Sequence, residues 1–507
     1  MANLREKTYD DSWRWVLLES GSNQEFIFRS PRRRYNVGAS GLLLDIPRWV
    51  AESHADLDVQ SVIATSSKVM LLARTLEAGR QVVHDATESV LRRAPGLDFW
   101  GVVEQVVPTH DGVPIPLMSR VAGVHQLHAR VRYERPTPHL RAPLLPFSAV
   151  CSLTGLAASR LERIADSGKA VPVSEQAHHA LQRARDRHRE LSATWPGHAF
   201  TDLKDDIDSD GWTALIHADG NKVGKLITQI ADHGDVEMYH SVSEALENAT
   251  RTALADAMTM TAGEIPARPW VLPLIVGGDD ITVIVDAAYA LPFAANYLTA
   301  FERRTAADPV LKQLAEATLG HGHLTASAGV VASKAATPFS LVYELVEAVT
   351  NVAKAAQDSA PGRSPISFHK AIDAVPASPE IDETAEVPGQ SGHVRVRRRA
   401  GAFVAPAGAG QEDGPWETAH SVRTLLDAVA VVAGDEPPLS GSRLNDLRMS
   451  IGRGVLSSGT LNRMRADGTA AQSFIDAHLV VDDGVTKFTR FLDLYDAPTL
   501  TGEGTVS

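Results

Sequence analysis

The stretch VLPLIVGGDDITVIV, residues 271–285, decides the fold of the region around it. Two apolar runs, 271–276 and 281–285, flank the tetrapeptide Gly277-Gly278-Asp279-Asp280. Glycine accepts the positive φ that tight turns need, so two apolar runs joined by this turn predict a β-hairpin. Such a hairpin would carry two carboxylates at its tip.

The segments on either side of the hairpin alternate between strand and helix patterns. Upstream, an apolar strand at 212–217 leads to Ala218-Asp219-Gly220, and helical spacing follows from 223 and again over 238–260. Downstream, the pattern predicts a helix within 291–319, a strand over 324–331 and a helix over 339–356. The resulting order, β-α-β-β-α-β, is that of the ferredoxin-like palm.

This topology predicts where the carboxylates meet. The end of the first palm strand lies beside the tip of the central hairpin, so Asp219 should approach Asp279 and Asp280. Carboxylate oxygens are preferred ligands of Mg²⁺, and phosphoryl transfer depends on positioned metal ions. We therefore predict a two-metal site for Mg²⁺ or Mn²⁺ that binds a nucleotide triphosphate, with Gly277 and Gly278 leaving room for the phosphates.

A simpler interpretation of the turn has to be weighed against this one. Asp and Gly are among the commonest turn residues, so Gly-Gly-Asp-Asp alone would be read as a well-formed hairpin turn. The Asp-Gly-Asn after the upstream strand and the β-α-β-β-α-β order around both motifs favour the catalytic palm.

Length and composition divide the chain further. At 507 residues several domains are expected. Five regions are predicted. Residues 1–135 open with an apolar strand around Trp15 and have a helical pattern from Met70 to Leu91. A linking, partly helical region (136–205), the palm (206–375), a flexible linker rich in Ala, Pro and Gly (376–415) and a helical C-terminal domain (416–507) follow.

Charge and cysteine content exclude several classes of protein. The formal net charge of −13 implies that any contact with nucleic acid is local or depends on metal ions or partners. The single cysteine, Cys151, excludes a multi-cysteine zinc site, so no zinc is expected. No apolar run is long enough for a membrane span and the N-terminus lacks a signal-peptide core, which predicts a cytoplasmic protein without membrane contact.

Several segments resemble the large polymerase/cyclase subunit of type III CRISPR effector complexes. Residues 218–224 (ADGNKVG) are similar to that family's Asp-x-Asp-Asn-x-Gly segment, 277–280 match its Gly-Gly-Asp-Asp motif, and 327–330 (SAGV) are similar to its third-strand signature. The segments 19–28 (ESGSNQEFIF) and 36–40 (NVGAS) are similar to the opening of its first palm. The likeness extends over most of the chain.

The resemblance implies an α+β protein with two ferredoxin-like palms, the second of them catalytic, that converts ATP into cyclic or linear oligoadenylates in antiviral defence. It implies guide or target RNA and other effector subunits as partners. Asp219, Asp279 and Asp280 would bind the metal ions. The other candidates for contacts with the nucleotide are Gly277, Gly278, Gly220, Asn221, Ser327 and Lys354.

The chain also departs from the family pattern. Asn221 stands where a second Asp is usual, so that ligand is lost or neutral. The first palm has Thr65-Ser-Ser-Lys68 at its hairpin, without a carboxylate, and should be non-catalytic, though it could still bind a second nucleotide. The segment beginning at Cys151 is similar to a zinc knuckle whose second cysteine is replaced, and should be a metal-free remnant. The family's N-terminal HD nuclease domain is expected to be absent.

Two rival functions stay open at this stage. Asn221 and the degenerate knuckle are compatible with a non-catalytic nucleotide-binding scaffold of an RNA-guided complex. A stand-alone signalling cyclase is a further alternative, weakly disfavoured because the turn continues Asp-Asp-Ile. The basic runs Arg32–Arg34 and Arg395–Arg399 could contact RNA or phosphate, or could be solvated surface.

Overall fold

The computed structural model describes residues 10–65, 67–136, 144–163, 169–198, 200, 211–233, 235–263, 269–372, 383–389, 392–406 and 413–501. The chain divides into two compact units, one formed by Met1–Pro196 and Lys222–Glu247 and the other by Gly197–Asn221 and Asn248–Ser507. The architecture is mixed α/β.

The first unit is built on an antiparallel sheet with the strand order β2-β3-β1-β4. Its strands are β1 (Arg14–Gly21), β2 (Val59–Ala64), β3 (Lys68–Ala73), β4 (Asp98–Val103), β5 (Thr109–His110), β6 (Val113–Pro114), β7 (Arg160–Arg163) and β8 (Ala170–Val173). Its helices are α1 (Asn23–Phe28), α2 (Arg33–Leu44), α3 (Ile46–Ser53), α4 (Leu76–Arg93), α5 (Val121–Glu134), α6 (Glu175–Thr194), α7 (Val223–His233) and the first half of α8 (Val236–Ala262).

The predicted helical pattern from Met70 to Leu91 is wrong at its start. Residues Val69 to Ala73 are all buried in β3, and Thr75 begins α4 by accepting a hydrogen bond from the backbone N–H of Ala78. A continuous apolar run inside a sheet has no helical period of its own, so the boundary had to come from the capping residue.

The second unit contains a six-stranded sheet with the order β10-β11-β9-β12-β13-β16. Its strands are β9 (Trp212–Gly220), β10 (Val271–Gly277), β11 (Asp280–Asp286), β12 (Ala326–Lys334), β13 (Pro365–Lys370), β14 (Thr384–Gly389), β15 (Gly392–Arg397), β16 (Phe403–Val404), β17 (Val481–Asp482) and β18 (Lys487–Phe488). Its helices, besides the second half of α8, are α9 (Ala290–Ala307), α10 (Pro309–Leu319), α11 (Phe339–Ala355), α12 (Pro415–Ala419), α13 (Val422–Ala433), α14 (Gly441–Gly452), α15 (Ser458–Arg465), α16 (Thr469–Leu479) and α17 (Phe491–Asp496).

The strands β9 to β12 form the core of this sheet and repeat the strand order of the first unit. In both sheets the first strand of the β-α-β-β-α-β series lies in the middle, between the second hairpin strand and the last strand. Helix α11 lies directly on β12, because a Cβ atom at Gly329 would be only 2.4 Å from the Thr350 hydroxyl. This close approach fixes the helix that carries Lys354.

The predicted flexible linker over 376–415 is wrong for the part that the structure describes. Strands β14 and β15 form a hairpin, and β15 pairs in parallel with β18 in a four-stranded sheet. Ala385 and Val387 in β14 and Val394 and Val396 in β15 are each less exposed than the residues beside them, as expected of a half-buried hairpin. The high Ala, Pro and Gly content of the surrounding residues concealed this alternation.

Two other predictions concern helices. The pattern over 291–319 forms two helices, because Asp308 caps α10 through the N–H groups of Val310 and Leu311 and Pro309 follows it. The region 416–501 is mainly helical, as predicted, with two short strands. Over the part of the chain that the structure describes, the helices are too short or too polar to cross a membrane.

Candidate metal centre

The conformation of the hairpin tip is set by Gly278 and by helix α8. Gly278 adopts a φ of 61°, in the left-handed region that favours glycine, and Gly277 pairs with Asp280 across the turn. The Gly278 carbonyl accepts a hydrogen bond of 2.7 Å from the hydroxyl of Thr250, a fully buried residue of α8. Helix α8 therefore fixes the backbone of the turn that carries the two carboxylates.

Asp219 approaches this tip from the adjacent strand. Successive side chains of β9 point to opposite faces, and only His217 and Asp219 in this strand are partly exposed. The pairing of Ile281 with Ala218 brings Asp280 opposite Asp219. The sequence thus correctly predicted that the end of β9 lies beside the hairpin tip.

The three carboxylates form one cluster. Ligand oxygens of Asp219, Asp279 and Asp280 all lie within 4.8 Å of one another. Among the residues that the structure describes, they are the only group of three or more His, Cys, Asp or Glu side chains with this proximity. All three are partly buried, which strengthens the repulsion between their charges.

Lys354 provides the positive charge within this cluster. Its ammonium group is in direct contact with the Asp219 carboxylate, and both side chains are partly exposed. The lysine lies in the last turn of α11, one helical turn after Thr350. The sequence predicted a contact between Lys354 and the nucleotide, and that role stays a prediction.

The pKa values of the three carboxyl groups shift in different directions: those of Asp279 and Asp280 are raised, and that of Asp219 is lowered. Burial, together with the charge of Asp219, raises the pKa of Asp279 to about 6. Burial and the hydrogen bond to Asp219 raise the pKa of Asp280 well above its ordinary value. Burial also acts to raise the pKa of Asp219, but hydrogen bonds from Asp280 and Lys354 outweigh it and lower that pKa. The metal-free cluster thus shares protons, as close carboxylates do.

These residues fit a divalent cation. Hard cations such as Mg²⁺ and Mn²⁺ take oxygen ligands, and all three side chains supply them. The Oδ1 atom of Asp280 is buried and has no hydrogen-bond partner among the residues that the structure describes. A buried acceptor of this kind is costly unless a ligand satisfies it, and a cation would also relieve the repulsion between the carboxylates.

Asn221 and Ser327 lie next to the cluster and bind each other. The Ser327 hydroxyl donates to the Asn221 side-chain oxygen at 2.7 Å, and the Asn221 amide donates to the Thr325 hydroxyl at 3.0 Å. Both residues are buried. Their side chains fasten the end of β9, at Gly220, to the start of β12, an arrangement that makes them positioning residues for Asp219.

Sequence reasoning missed three residues around the cluster. Thr250 and Tyr297 are buried on the apolar faces of α8 and α9. A hydroxyl group among apolar side chains was the one feature of the sequence that could have indicated a role for them, since buried polar groups need a partner. Burial raises the pKa of Tyr297, which keeps its hydroxyl neutral beside Asp279 and Asp280. His217 lies 3.1 Å from the Thr282 hydroxyl, and burial lowers its pKa.

The first unit has a different group at the equivalent position. Glu19 of β1 is paired with Lys68 of β3, as Asp219 of β9 lies opposite Asp280 of β11. Burial lowers the pKa of Lys68, although the charge of Glu19 opposes this shift, and its ammonium lies 3.2 Å from the ring of His125. A lysine therefore takes the place of a carboxylate in this sheet.

The cluster predicts a pH-dependent effect of divalent cations on stability. The pKa of Asp279 is raised above its value in the unfolded chain, so the metal-free folded protein binds more protons than the unfolded chain between about pH 4 and 6. The folded state therefore loses stability as the pH rises through that range. Mn²⁺ at about 100 times its Kd should restore about 2.7 kcal/mol above pH 6. The increase in Tm on adding Mn²⁺ should therefore be much larger at pH 8 than at pH 5.

The measurement is a thermal melt at both pH values, with and without Mn²⁺. NaCl at matched ionic strength controls for general screening of charge. An increase in Tm that is equal at the two pH values would contradict a site made of these carboxyl groups.

Comparisons with known proteins bear on the same residues. Residues 212–360 match the family described as Cas10/Cmr2, second palm domain, which confirms the resemblance seen in the motifs over these residues. No curated protein matches the chain.

Solved structures also match. The Csm1-Csm4 cassette in complex with AMPPNP is 14% identical, with a TM-score of 0.40, over 70% of this chain and 54% of that one. The cassette in complex with cA4 is 14% identical, with a TM-score of 0.43, over 83% and 63%. This chain thus covers less than two thirds of the length of these solved chains.

Proposed function

We propose that this chain is a metal-dependent nucleotidyltransferase that joins ATP into cyclic or linear oligoadenylates. Its residues 212–360 match the family described as Cas10/Cmr2, second palm domain. The observation that carries the proposal is the convergence of Asp219, Asp279 and Asp280, together with a buried Asp280 oxygen that has no hydrogen-bond partner in the described part of the chain. The family match is consistent with this chemistry.

The proposed reaction is a displacement at phosphorus. A ribose hydroxyl of one nucleotide attacks the α-phosphorus of the next, a phosphodiester bond forms, and pyrophosphate leaves. Divalent cations bound at the cluster would neutralise the phosphates and align the two oxygens in line. The proposed role of Asp219, Asp279 and Asp280 is to hold two such ions, either Mg²⁺ or Mn²⁺.

The rest of the site would position the triphosphate. A Cβ atom at Gly278 would meet nothing within 4 Å, so the turn is open to a ligand. Thr250 keeps the backbone of this turn in place, and the Lys354 ammonium is the positive charge nearest to Asp219 among the described contacts. We propose that Lys354 turns from Asp219 to a phosphate oxygen when the nucleotide binds.

A non-catalytic scaffold is less consistent with this site. It was suggested by Asn221, but that residue is occupied by Thr325 and Ser327, and the cluster already contains three carboxylates. A loss of the metal ligands fits the first unit better, where Lys68 faces Glu19. We therefore propose that the first unit is a palm without metal, and that partner subunits and RNA regulate the second.

Purified protein incubated with ATP and Mg²⁺ or Mn²⁺ tests the proposal, with products separated by anion exchange and identified by mass. We expect pyrophosphate and adenylate oligomers, in greater amount when partner subunits and RNA are added. Parallel reactions with GTP test the alternative of a different signalling cyclase. Binding of ATP by calorimetry without any product, under all these conditions, would support the scaffold instead.

A further inference from the structure

Tyr297 carries a buried hydroxyl that the packing of its helix does not require. It is the middle one of three fully buried aromatic side chains on α9, which follow one another at a spacing of four residues, Phe293, Tyr297 and Phe301. Its hydroxyl oxygen has no hydrogen-bond partner among the residues that the structure describes. Such a hydroxyl costs free energy that a phenylalanine, as at the two flanking positions, would avoid. The hydroxyl therefore points to a role other than packing.

The electrostatics of this hydroxyl place it beside the carboxylate cluster. Burial raises the pKa of Tyr297, and the charges of the three carboxylates raise it further, that of Asp280 more than those of Asp279 and Asp219. Thr250 is close enough to oppose this shift, but it does not reach hydrogen-bond geometry with the phenol. The phenol therefore keeps its hydrogen, and towards an ionised carboxylate it can only be the donor.

Asp280 carries the complementary group. Its Oδ1 atom is likewise buried and without a hydrogen-bond partner in the described part of the chain. A carboxylate oxygen has two lone pairs, so this atom can bind a cation with one and accept a hydrogen with the other. A donor without an acceptor and an acceptor without a donor thus belong to neighbouring side chains, and one of the two side chains is a proposed metal ligand.

Contacts between α9 and α8 fix the position of Tyr297. Two turns after it, Arg304 donates to both carboxylate oxygens of Asp256 at 2.6 and 2.7 Å. One residue before it, the Asn296 amide donates to the Thr261 hydroxyl at 3.0 Å. The ring is fully buried between such anchors, so its hydroxyl cannot turn to solvent. The hydroxyl can be satisfied only from inside the protein.

We propose that Tyr297 is a positioning residue of the metal centre, which donates its hydroxyl hydrogen to the Oδ1 atom of Asp280 when a divalent cation binds that carboxylate. This inference rests on the metal centre of the proposed function, but not on the transfer of nucleotides. Cations bind ionised carboxylates, and a hydrogen bond to an ionised acceptor is stronger than one to a neutral acceptor. The bond therefore orients Asp280 for the cation, as hydrogen bonds to metal ligands do in other proteins.

The variant Tyr297→Phe separates this role from packing, because it removes one oxygen atom and keeps the ring. The affinity of the full chain for Mn²⁺ should fall by about 10-fold. The Tm of the metal-free protein should rise by about 2 °C, because a buried hydroxyl without a partner is gone. Calorimetry with Mn²⁺ at pH 8 and thermal melts in EDTA measure the two effects, and neither measurement requires ATP.

Tyr239→Phe is the matched control. Tyr239 is also a buried tyrosine of a helix, α8, but its hydroxyl contacts the Met70 sulfur at 3.7 Å. This variant should bind Mn²⁺ as the wild type does, and its metal-free form should not gain stability. A double-mutant cycle adds a second check: the loss of Mn²⁺ affinity caused by Tyr297→Phe should be smaller in the Asp280→Asn background, which lacks the ionised acceptor.

Equal affinity of the wild type and of Tyr297→Phe for Mn²⁺ would overturn the proposal. A lower Tm of the metal-free variant would also overturn it, since the hydroxyl would then already serve the fold. A wild type that binds Mn²⁺ but forms no product from ATP would contradict nucleotidyl transfer alone, and the comparison of the two tyrosine variants would still decide the role of Tyr297. A wild type that binds no Mn²⁺ would contradict both proposals.

Discussion

Replacing both Asp279 and Asp280 by asparagine will abolish nucleotidyl transfer and will also stabilise the metal-free protein. The loss of two ligands to the divalent cations should lower kcat/KM for ATP by at least about 1000-fold, equivalent to about 4 kcal/mol of barrier. Asparagine keeps the shape of each side chain, so the hairpin and its pairing with β9 should persist.

The expected stabilisation has a separate cause. At pH 8 the wild type must ionise two carboxyl groups whose pKa values are raised by burial and by neighbouring carboxylates, Asp219 in particular. The amides carry no such charge, so the Tm of the metal-free variant should exceed that of the wild type at pH 8, and the difference should shrink toward pH 4.5. Mn²⁺ should no longer raise the Tm of the variant.

Activity assays and melts at both pH values check the two effects together. Asp427→Asn is the matched control, because Asp427 is an exposed carboxylate of α13 in the same unit. It should change neither activity nor the response to Mn²⁺. A double variant that is inactive but strongly destabilised at pH 8 would show that these carboxylates serve the fold rather than a cation site.

The sequence predicted the parts of the fold whose pattern is local. The strands β9 to β12 are apolar runs of suitable length, and the turn at Gly277 to Asp280 has its own conformational requirement. The approach of Asp219 to the hairpin then followed from the strand order of the palm. The break at Asp308-Pro309 could also have been predicted, since Asp before Pro is a typical helix start.

Other features depend on contacts between distant residues. The pairing of β15 with β18 joins segments some ninety residues apart, and short strands in an Ala-rich and Pro-rich region have little pattern of their own. Likewise, nothing in the sequence around Thr250 indicates that its hydroxyl holds the Gly278 carbonyl. The pairing of Lys68 with Glu19 became visible only from the register of β1 and β3.

Replacing Lys354 by methionine should change metal affinity and catalysis in opposite directions. In the metal-free site the ammonium contacts Asp219, so a divalent cation must compete with it for that carboxylate. Removing the ammonium should therefore raise the affinity for Mn²⁺ by at least about tenfold, since two positive charges no longer share one small site. Methionine retains an unbranched chain of similar length and should pack where the lysine stem lies.

Catalysis should nevertheless suffer from the same change. If Lys354 turns to the triphosphate, its loss should lower kcat/KM for ATP by about 10-fold to 100-fold, and arginine at this position should recover part of it. Calorimetry with Mn²⁺ and steady-state kinetics with ATP give the two quantities independently. Lys312→Met, at an exposed position of α10, controls for the general loss of positive charge.

The two readouts distinguish three roles for the lysine. Tighter Mn²⁺ binding with weaker turnover is the result expected of an internal counterion that moves to the substrate. Weaker Mn²⁺ binding would mean that Lys354 supports the geometry of Asp219, and unchanged turnover would exclude a contact with phosphate. The Lys354 ammonium and the divalent cation compete for the same Asp219 oxygens. The affinity for Mn²⁺ measured without nucleotide therefore shows whether Lys354 acts as a counterion or supports the geometry of Asp219.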